Sequence, residues 1–564
     1  MAVAGISTGS RSLSHKIVSV AAGEAHTLVL SADGSVYAWG KGRLGRLGTG
    51  SENDEPFPVR VGSDSNLRFV EVAAGAYHSL ALADDGSVWS WGYNIYGQLG
   101  IDGENAGKPR LVERFLELRS SSLTEDEHGR RKPLKVSFIK AGGMMSLAID
   151  DLGGLWIWGN CPQQGGSNEE SFSLVKSSVP IPVWNFHGHT VVKVACGNEH
   201  IVALVSAGES YKADDLVCYS WGNNNHGQLG LGDRESRSRP EIIQNFNEDS
   251  SWVVYQVACG AFHTVLLGLD KRLGDTLGSI CWTFGLGDNG QLGHGSSRSA
   301  NLPEPVQGLP EETFLVSVDC GLFHTSVVSS SGDVWSWGME KGLGLCPDST
   351  DMGDAVGPRL ITNVNGSTFP DPVQVACGAA HTVLVGEGGF QVWSWGRGRN
   401  GVLGTGRTID AFVPTSVLWP PFAGGQPVIE NERRRIEKSP VIENERRTEK
   451  SPEMDRTLAT VLEEREVLRS KLSIMGRYAS LLHGSIFGKP FEEKDIPESL
   501  LHSSGTFDVA KEWENMLESS DVGRLHRLEM FYRNMVEGVK DKRMKKRVEE
   551  IVKECIAGSR TGRQ

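Results

Sequence analysis

Six histidines stand three residues behind a glycine: His26, His78, His200, His263, His324 and His381, after Gly23, Gly75, Gly197, Gly260, Gly321 and Gly378. An imidazole titrates near neutrality, so each has the chemistry of a general base, a proton shuttle or a metal ligand. Six in one phase, with Gly142/Met145 as a copy lacking the ring, point instead to a structural role, each imidazole locking its own turn by bonding nearby backbone. Three Gly-x-Gly-x-x-Gly runs, at Gly40/Gly42/Gly45, Gly285/Gly287/Gly290 and Gly396/Gly398/Gly401, have the form of a dinucleotide-binding loop. That loop needs a strand before it, a helix after it and an acid about 20 residues on. All three runs share one phase of a repeat, so they read as turn glycines.

Other candidates are weaker. Residues 5–9, GISTG, fit the nucleophile-elbow pattern, but no helical pattern follows. His187 and His189 offer two metal donors without a third nearby. Cys196, Cys259, Cys320 and Cys377 precede the repeat glycine where Ala22, Ala74 and Ala141 stand in other copies, which marks small buried residues rather than nucleophiles. No catalytic, cofactor-binding or metal-ligating residue is assigned, and no cofactor and no enzyme in the ordinary sense is expected.

The elements that hold these residues repeat seven times. Behind each glycine turn comes an aromatic strand ending in glycine: YAWG at 37, WSWG at 89, WIWG at 156, YSWG at 219, WTFG at 282, WSWG at 335 and WSWG at 393. These segments hold 11 of the 15 tryptophans. A third signature follows in most copies, GRLG at 45, GQLG at 97, 227 and 290, and GVLG at 401; the third copy lacks it. Residues 16–420 divide into seven units of about 58 residues, each reading as four short strands. In the first unit these are residues 18–21, 26–30, 36–39 and 58–61, with an Asp-Gly hairpin signal at Asp33. Glycine after the first strand suits a turn with φ > 0. Trp89 and Trp91, two apart, face one way and are placed to pack against the next unit. Four antiparallel strands repeated seven times make an all-β, seven-bladed propeller of four-stranded blades.

With three linked signatures recurring in register over residues 16–420, the chain resembles the regulator of chromosome condensation repeat family, whose members fold as seven-bladed propellers. The resemblance implies a regulatory protein, and its founding member is an exchange factor for the small GTPase Ran that also engages nucleosomes through basic terminal segments. Here Arg11 and Lys16 alone are basic before the first strand, which weakens the chromatin route. The plant UV-B photoreceptor, similar in fold, senses light through Trp-Arg pairs behind the repeat glycine. Trp-Arg is absent from every such position in this chain, so photoreception by that route is not expected.

Composition separates a body from a tail. Of 69 glycines, 59 precede residue 421, and that body carries net charge −14, which opposes direct nucleic-acid binding by the propeller unless a basic patch lies within it. No run is long and apolar enough to span a membrane, and the N-terminus lacks a signal-peptide core. Nine cysteines without a Cys-x-x-Cys point to reduced thiols, and a nuclear or cytoplasmic location is expected. The expected organisation is an N-terminal arm (1–15), the propeller (16–420), a charged duplicated linker (421–453) and a helical tail (454–564). The linker carries PVIENERRRIEK and PVIENERRTEK, each followed by a Ser-Pro site at Ser439 or Ser451. In the tail, Leu458, Val461, Leu468, Leu472, Met475 and Leu482 keep a 3-4 spacing that suits a coiled coil making homo-oligomers or a helical hairpin packing internally. A basic run, KDKRMKKR at 540–547, suits nuclear import or an exposed helix face.

The favoured function is a propeller interaction platform with a helical association tail. The alternatives are a guanine-nucleotide exchange factor for a small GTPase and a chromatin- or histone-associated regulator. Insertions mark the candidate partner face: residues 119–132 between units two and three, 207–216 in unit four and 269–279 in unit five. Strand alternation puts all three on one side. Their mixed charges, Glu125, Asp126, Glu127, Arg130, Asp214, Asp215, Lys271 and Arg272, suit a polar protein partner.

Overall fold

The computed structural model describes residues 13–420 except 63–66, 118–133, 165–171, 187–188, 207–215, 248, 272–277, 311–312, 340–352 and 364. The chain divides into units 1–429 and 430–564, and the described residues all belong to the first. Ser439, Ser451, the Leu458–Leu482 heptads, the 540–547 run, residues 5–9 and His187 therefore lie outside the described residues.

Twenty-eight strands among the described residues form seven four-stranded antiparallel sheets, each from four consecutive strands. Blade one comprises β1 (Ile17–Ala22), β2 (His26–Ser31), β3 (Val36–Gly40) and β4 (Glu55–Arg60), and the later blades repeat this order. β2 is buried along its whole length because it lies mid-sheet with a blade on either side. β4 begins three residues earlier than the sequence pattern predicted. It carries both Pro56 and Pro58, tolerated because an outermost strand bonds only one neighbour.

Glycine sits where blade meets blade. A Cβ on Gly23 would collide with the carbonyl of Gly75; one on Gly75 with that of Gly142; and so on through Gly197, Gly260, Gly321 and Gly378 back to Gly23. In the six blades that have one, the same Cβ would strike the ring of the blade's own histidine; at Gly142 it would meet Cys196 Sγ of the next blade. None of these seven residues has positive φ, so they are glycine for space and not, as the turn pattern implied, for backbone freedom. The turn is closed by the glycine N–H donating to the histidine carbonyl, at 2.8 Å in blade one.

The imidazoles do not lock their own turns. His26 Nε2 reaches Ser79 Oγ of the next blade at 2.9 Å, and His78 reaches Ser146 at 2.8 Å. His200, His263 and His324 each lie 3.0 Å from Thr264, Thr325 and Thr382, and His381 closes the circle on Thr27 at 3.2 Å. Ser79 in turn donates to the Arg46 carbonyl at 2.8 Å, as Ser146 does to Gln98 and Thr264 to Gln228. A hydroxyl that donates to a carbonyl must accept from the ring, so Nε2 carries the proton, and Nδ1 of His26, His78, His200, His263 and His324 is a buried acceptor with no partner among the described residues. The same carbonyls take a second bond from a tryptophan: Trp91 Nε1 to Arg46 and Trp158 Nε1 to Gln98, both 2.9 Å.

The tryptophans thus receive the preceding blade's turn, opposite to the direction the sequence pattern suggested. Gly48 in the GRLG turn of blade one has φ 72°, and a Cβ there would come within 2.8 Å of Trp91 Nε1, so only glycine supplies both the conformation and the clearance. Trp91 is fully buried while Trp89 is half-buried. Phenylalanines between blades add edge-on contacts that the repeat signatures do not reveal. Phe115 meets Trp156 and Trp158, Phe186 meets Tyr219 and Trp221, and Phe246 meets Trp282. Trp419 does the same for closure, with its ring 5.0 Å from Tyr37 of blade one and its Nε1 donating to the His15 carbonyl at 2.8 Å. Among the described residues, the first and last blades are each built from four consecutive strands.

Blade three is the exception in both sequence and contact. Met145 replaces the histidine, and the blade-four residue in the hydroxyl position is Ile201, so an apolar pair replaces a polar one within one buried cluster. Trp221 Nε1 there has no partner among the described residues. In place of the missing glycine turn, strands Leu155–Pro162 and Leu174–Val183 extend their pairing to Pro162 opposite Leu174.

Burial holds all six imidazoles neutral, pushing His78, His200, His263 and His381 down to about 3, His324 to about 4 and His26 well below its ordinary value. The unfolded chain takes up these protons near pH 6.5 and the folded chain does not. Stability is complete above pH 6.5 and falls as the pH drops toward 3, at up to about 1.4 kcal/mol per pH unit per histidine. Urea midpoints followed by tryptophan fluorescence should start to fall near pH 6.5, above the carboxylate range; a flat profile down to pH 5 refutes this. Met145→His alone should destabilise by about 1–3 kcal/mol, since its Nε2–H would face Ile201. Adding Ile201→Thr should recover most of that loss, and equal, additive losses would refute the pairing.

Candidate functional site

The residues that suggested chemistry are absorbed by the interfaces between blades. The six histidines are buried to within 1% exposure and bonded as above. The Gly-x-Gly-x-x-Gly glycines form turns seated on the next blade: Gly45 against Gly107, Gly290 against Val356 and Gly401 against Pro56. His189 donates its backbone N–H to Phe186. Burial pushes the Cys196 thiol up to about 12 and raises those of Cys259, Cys320 and Cys377, and the last three bond threonine or serine hydroxyls. Thiols so raised are not nucleophiles at neutral pH. Among the described residues no group of three His, Cys, Asp or Glu side chains is placed to hold a metal, and no helix is long and apolar enough to cross a membrane.

The first strands of all seven blades line a central channel of about 660 Å³. These innermost strands have one unpaired edge, and side chains bridge it to the next blade. Glu71 Oε2 accepts from the Ile139 N–H at 3.0 Å, and Lys193 Nζ donates to the Tyr255 carbonyl at 3.0 Å. Ser317 accepts from the Val375 N–H at 3.2 Å, and Asp319 Oδ2 from the Cys377 N–H at 2.8 Å. Burial pushes Glu71 up to about 7, opposed by the Ile139 N–H and Lys140. It raises Asp319 too, again against Lys140. For Lys140 burial disfavours the charge, but Asp319, Cys196 and Glu71 outweigh it and the ammonium is stabilised. The channel is lined by four acidic residues and two lysines, and Glu71, Lys193 and Asp319 serve as straps between neighbouring first strands.

Beyond the channel the propeller presents two faces. Antiparallel alternation places the 1–2 and 3–4 connections on one face, here the turn face, and the 2–3 and blade-to-blade connections on the other, the insertion face. Of the candidate partner residues, Lys271 alone is described, exposed at the end of its strand with its N–H bonded to the Ser251 carbonyl. Glu125, Asp126, Glu127, Arg130, Asp214, Asp215 and Arg272 lie outside the described residues. The described strand ends that flank them, Ser206, Leu216, Asp270 and Ile280, all open on the insertion face.

That face also carries exposed apolar residues the sequence reading did not single out. Trp184, between blades three and four, is 79% exposed, and Leu116 and Leu152 are exposed on the neighbouring connections. Val18, Val70 and Val192, one repeat position near the start of the first strand, stand exposed at the channel rim. The available signal was that Trp184 is a tryptophan outside the seven aromatic segments. Trp252 and Trp419, two others, are spent on packing.

Comparison with known proteins agrees with the geometry. The RCC1-like domain profile matches residues 6–266, and the regulator of chromosome condensation (RCC1) repeat profile matches 280–328, 331–385 and 391–430. The ultraviolet-B receptor UVR8 of Arabidopsis thaliana is 31% identical over 404 residues, 71% of this chain and 81% of that protein. The human E3 ubiquitin-protein ligase HERC2 is 31% identical over 373 residues, 65% of this chain but 7% of that much longer protein. Among solved structures, Prp20p of Saccharomyces cerevisiae, described with its binding to Gsp1p and histones, gives a TM-score of 0.56 at 24% identity, covering 70% of this chain and 88% of its own. Human WBSCR16 gives 0.54 at 24% identity, covering 68% and 94%. The repeat matches, the UVR8 relationship and the seven four-stranded blades together establish that this chain belongs to the RCC1 repeat family.

Proposed function

We propose that the protein is a non-enzymatic interaction platform that binds a protein partner on its insertion face. The observation that carries this reading is the concentration of exposed Trp184, Leu116 and Leu152 on the face from which the three insertions depart. Exposed aromatic anchors rimmed by polar loops suit protein recognition. The mixed charges of the insertions set the polar rim. A small GTPase or a histone is the kind of partner proposed, in the nucleus or cytoplasm, and exchange activity would need no acid, base or metal of its own. The tail, through Leu458, Val461, Leu468, Leu472, Met475 and Leu482, is proposed to associate copies of the chain.

Affinity capture with the full chain, quantified by mass spectrometry, should recover a partner that is lost on Trp184→Ala or on replacing the three insertions by Gly-Ser turns. Unchanged capture by every variant, with circular dichroism intact, would place the site elsewhere. Release of a fluorescent guanine nucleotide from a captured GTPase should stay at its spontaneous rate; acceleration would replace the platform reading with exchange. Light scattering should give an oligomeric mass for the full chain and a monomeric one for residues 1–420, and two monomeric masses would favour an internal hairpin.

A further inference from the structure

The residue after the aromatic-strand glycine differs from blade to blade: Lys41, Tyr93, Asn160, Asn223, Leu286, Met339 and Arg397. Blades one and seven alone place a cation there, and each adds another two residues on, as Lys41-Gly42-Arg43 and Arg397-Gly398-Arg399. Ring closure makes these blades neighbours. The 399–401 turn touches β3 and β4 of blade one, and Asn400 Nδ2 donates to Asp54 Oδ2 at 2.7 Å.

A second feature coincides with the first. Two residues behind the repeat glycine, the turn face carries Tyr77, Met144, Glu199, Phe262 and Phe323 in five blades, but Ala25 and Ala380 in blades one and seven. The N–H of Lys41 donates to the Ala25 carbonyl at 2.8 Å and that of Arg397 to the Ala380 carbonyl at 2.7 Å. The cations therefore flank the part of the turn face where the repeat has its smallest side chains.

Their charges are uncommitted. Lys41, Arg43, Arg397 and Arg399 make no ion pair among the described residues, and Arg43, Arg397 and Arg399 are exposed. The carboxylates nearest in the connections are engaged: Asp54 Oδ1 accepts the Gly42 N–H and Asp410 Oδ1 the Gly398 N–H, both at 2.9 Å. Glu24, on the same floor, is hydrogen-bonded to Tyr77 and lies in the field of Arg46.

We propose that Lys41, Arg43, Arg397 and Arg399 form a docking surface for an acidic peptide segment of a partner protein, laid across the closure of blades seven and one on the turn face. Arginine forks bind carboxylates with two parallel hydrogen bonds, and three of the four cations are arginine. The two connections, 41–54 and 397–410, together hold six lysines or arginines against three acidic residues, and a short peptide senses charges within a Debye length of ~8 Å. A nucleic-acid strand would extend beyond four cations over the surface of a chain of net charge −13, with too few phosphate contacts to hold it. The site lies opposite the insertion face, so it stands or falls independently of the platform proposal.

The test uses the full chain and a short fluorescein-labelled peptide of alternating Glu and Asp, followed by anisotropy. Binding should weaken about tenfold or more in the Arg43→Glu/Arg399→Glu variant and in high salt, with circular dichroism unchanged. Arg234→Glu, an exposed charge reversal on blade four, should leave the affinity within about twofold. Three outcomes would overturn the proposal. These are no binding by the unaltered chain, equal binding by the double variant, and tighter binding of a labelled oligothymidylate of the same charge, which would assign the patch to nucleic acid.

Discussion

Seven glycines, each against the carbonyl of the next, set how closely the blades approach, and every other contact between blades depends on that distance. A side chain at any of them would push two blades apart, and at six of them it would also displace the histidine beneath. With the gap closed, an imidazole reaches a hydroxyl on the neighbouring sheet, the hydroxyl reaches a turn carbonyl, and a tryptophan indole shares that carbonyl. The relay is buried, so each bond is made in a medium where leaving it unmade costs about 1–3 kcal/mol. The orphaned Nδ1 atoms are the cost of this arrangement.

Such a scaffold has consequences for function. Imidazoles, thiols and glycine-rich turns that elsewhere do catalysis are here held neutral, protonated or pressed against backbone, and the channel charges bridge strand edges. The connections on the two faces vary without disturbing the relay. The faces differ in character. The insertion face offers exposed tryptophan and leucine around a valine rim, whereas the turn face offers Tyr77, Phe262 and Phe323 in three blades and a basic, small-residue sector where the ring closes.

The relay also tolerates an orderly exception. Between blades three and four both partners change together, imidazole to thioether and hydroxyl to sec-butyl, so no polar group is left facing an apolar one at that position. The indole of Trp221 is left without its carbonyl because the turn that would supply it has become an extended hairpin. Closure needs no special device. Trp39 donates to the Val402 carbonyl at 2.9 Å and His381 bonds Thr27, which repeats across the termini what the other interfaces use, with Trp419 standing where a phenylalanine stands elsewhere.

The blades were legible in the chain itself. Gly-x-x-His, the aromatic-Gly strand and Gly-x-Leu-Gly recur in register, and strand alternation, turn glycines and mid-sheet burial are consequences of residues within one unit. The contacts across the interfaces were not. Local spacing suggested that glycine was there for its φ, that histidine bonded its own turn and that tryptophan packed forward; all three were decided by the neighbouring blade. His26 and Ser79 are 53 positions apart, Thr27 and His381 are 354 apart, and no pattern inside a unit encodes which atoms meet at such separations. The basic sector is the same case. Lys41-Gly42-Arg43 and Arg397-Gly398-Arg399 are unremarkable pairs at opposite ends of the propeller sequence, and only closure of the ring, which joins the first blade to the seventh, makes them one surface.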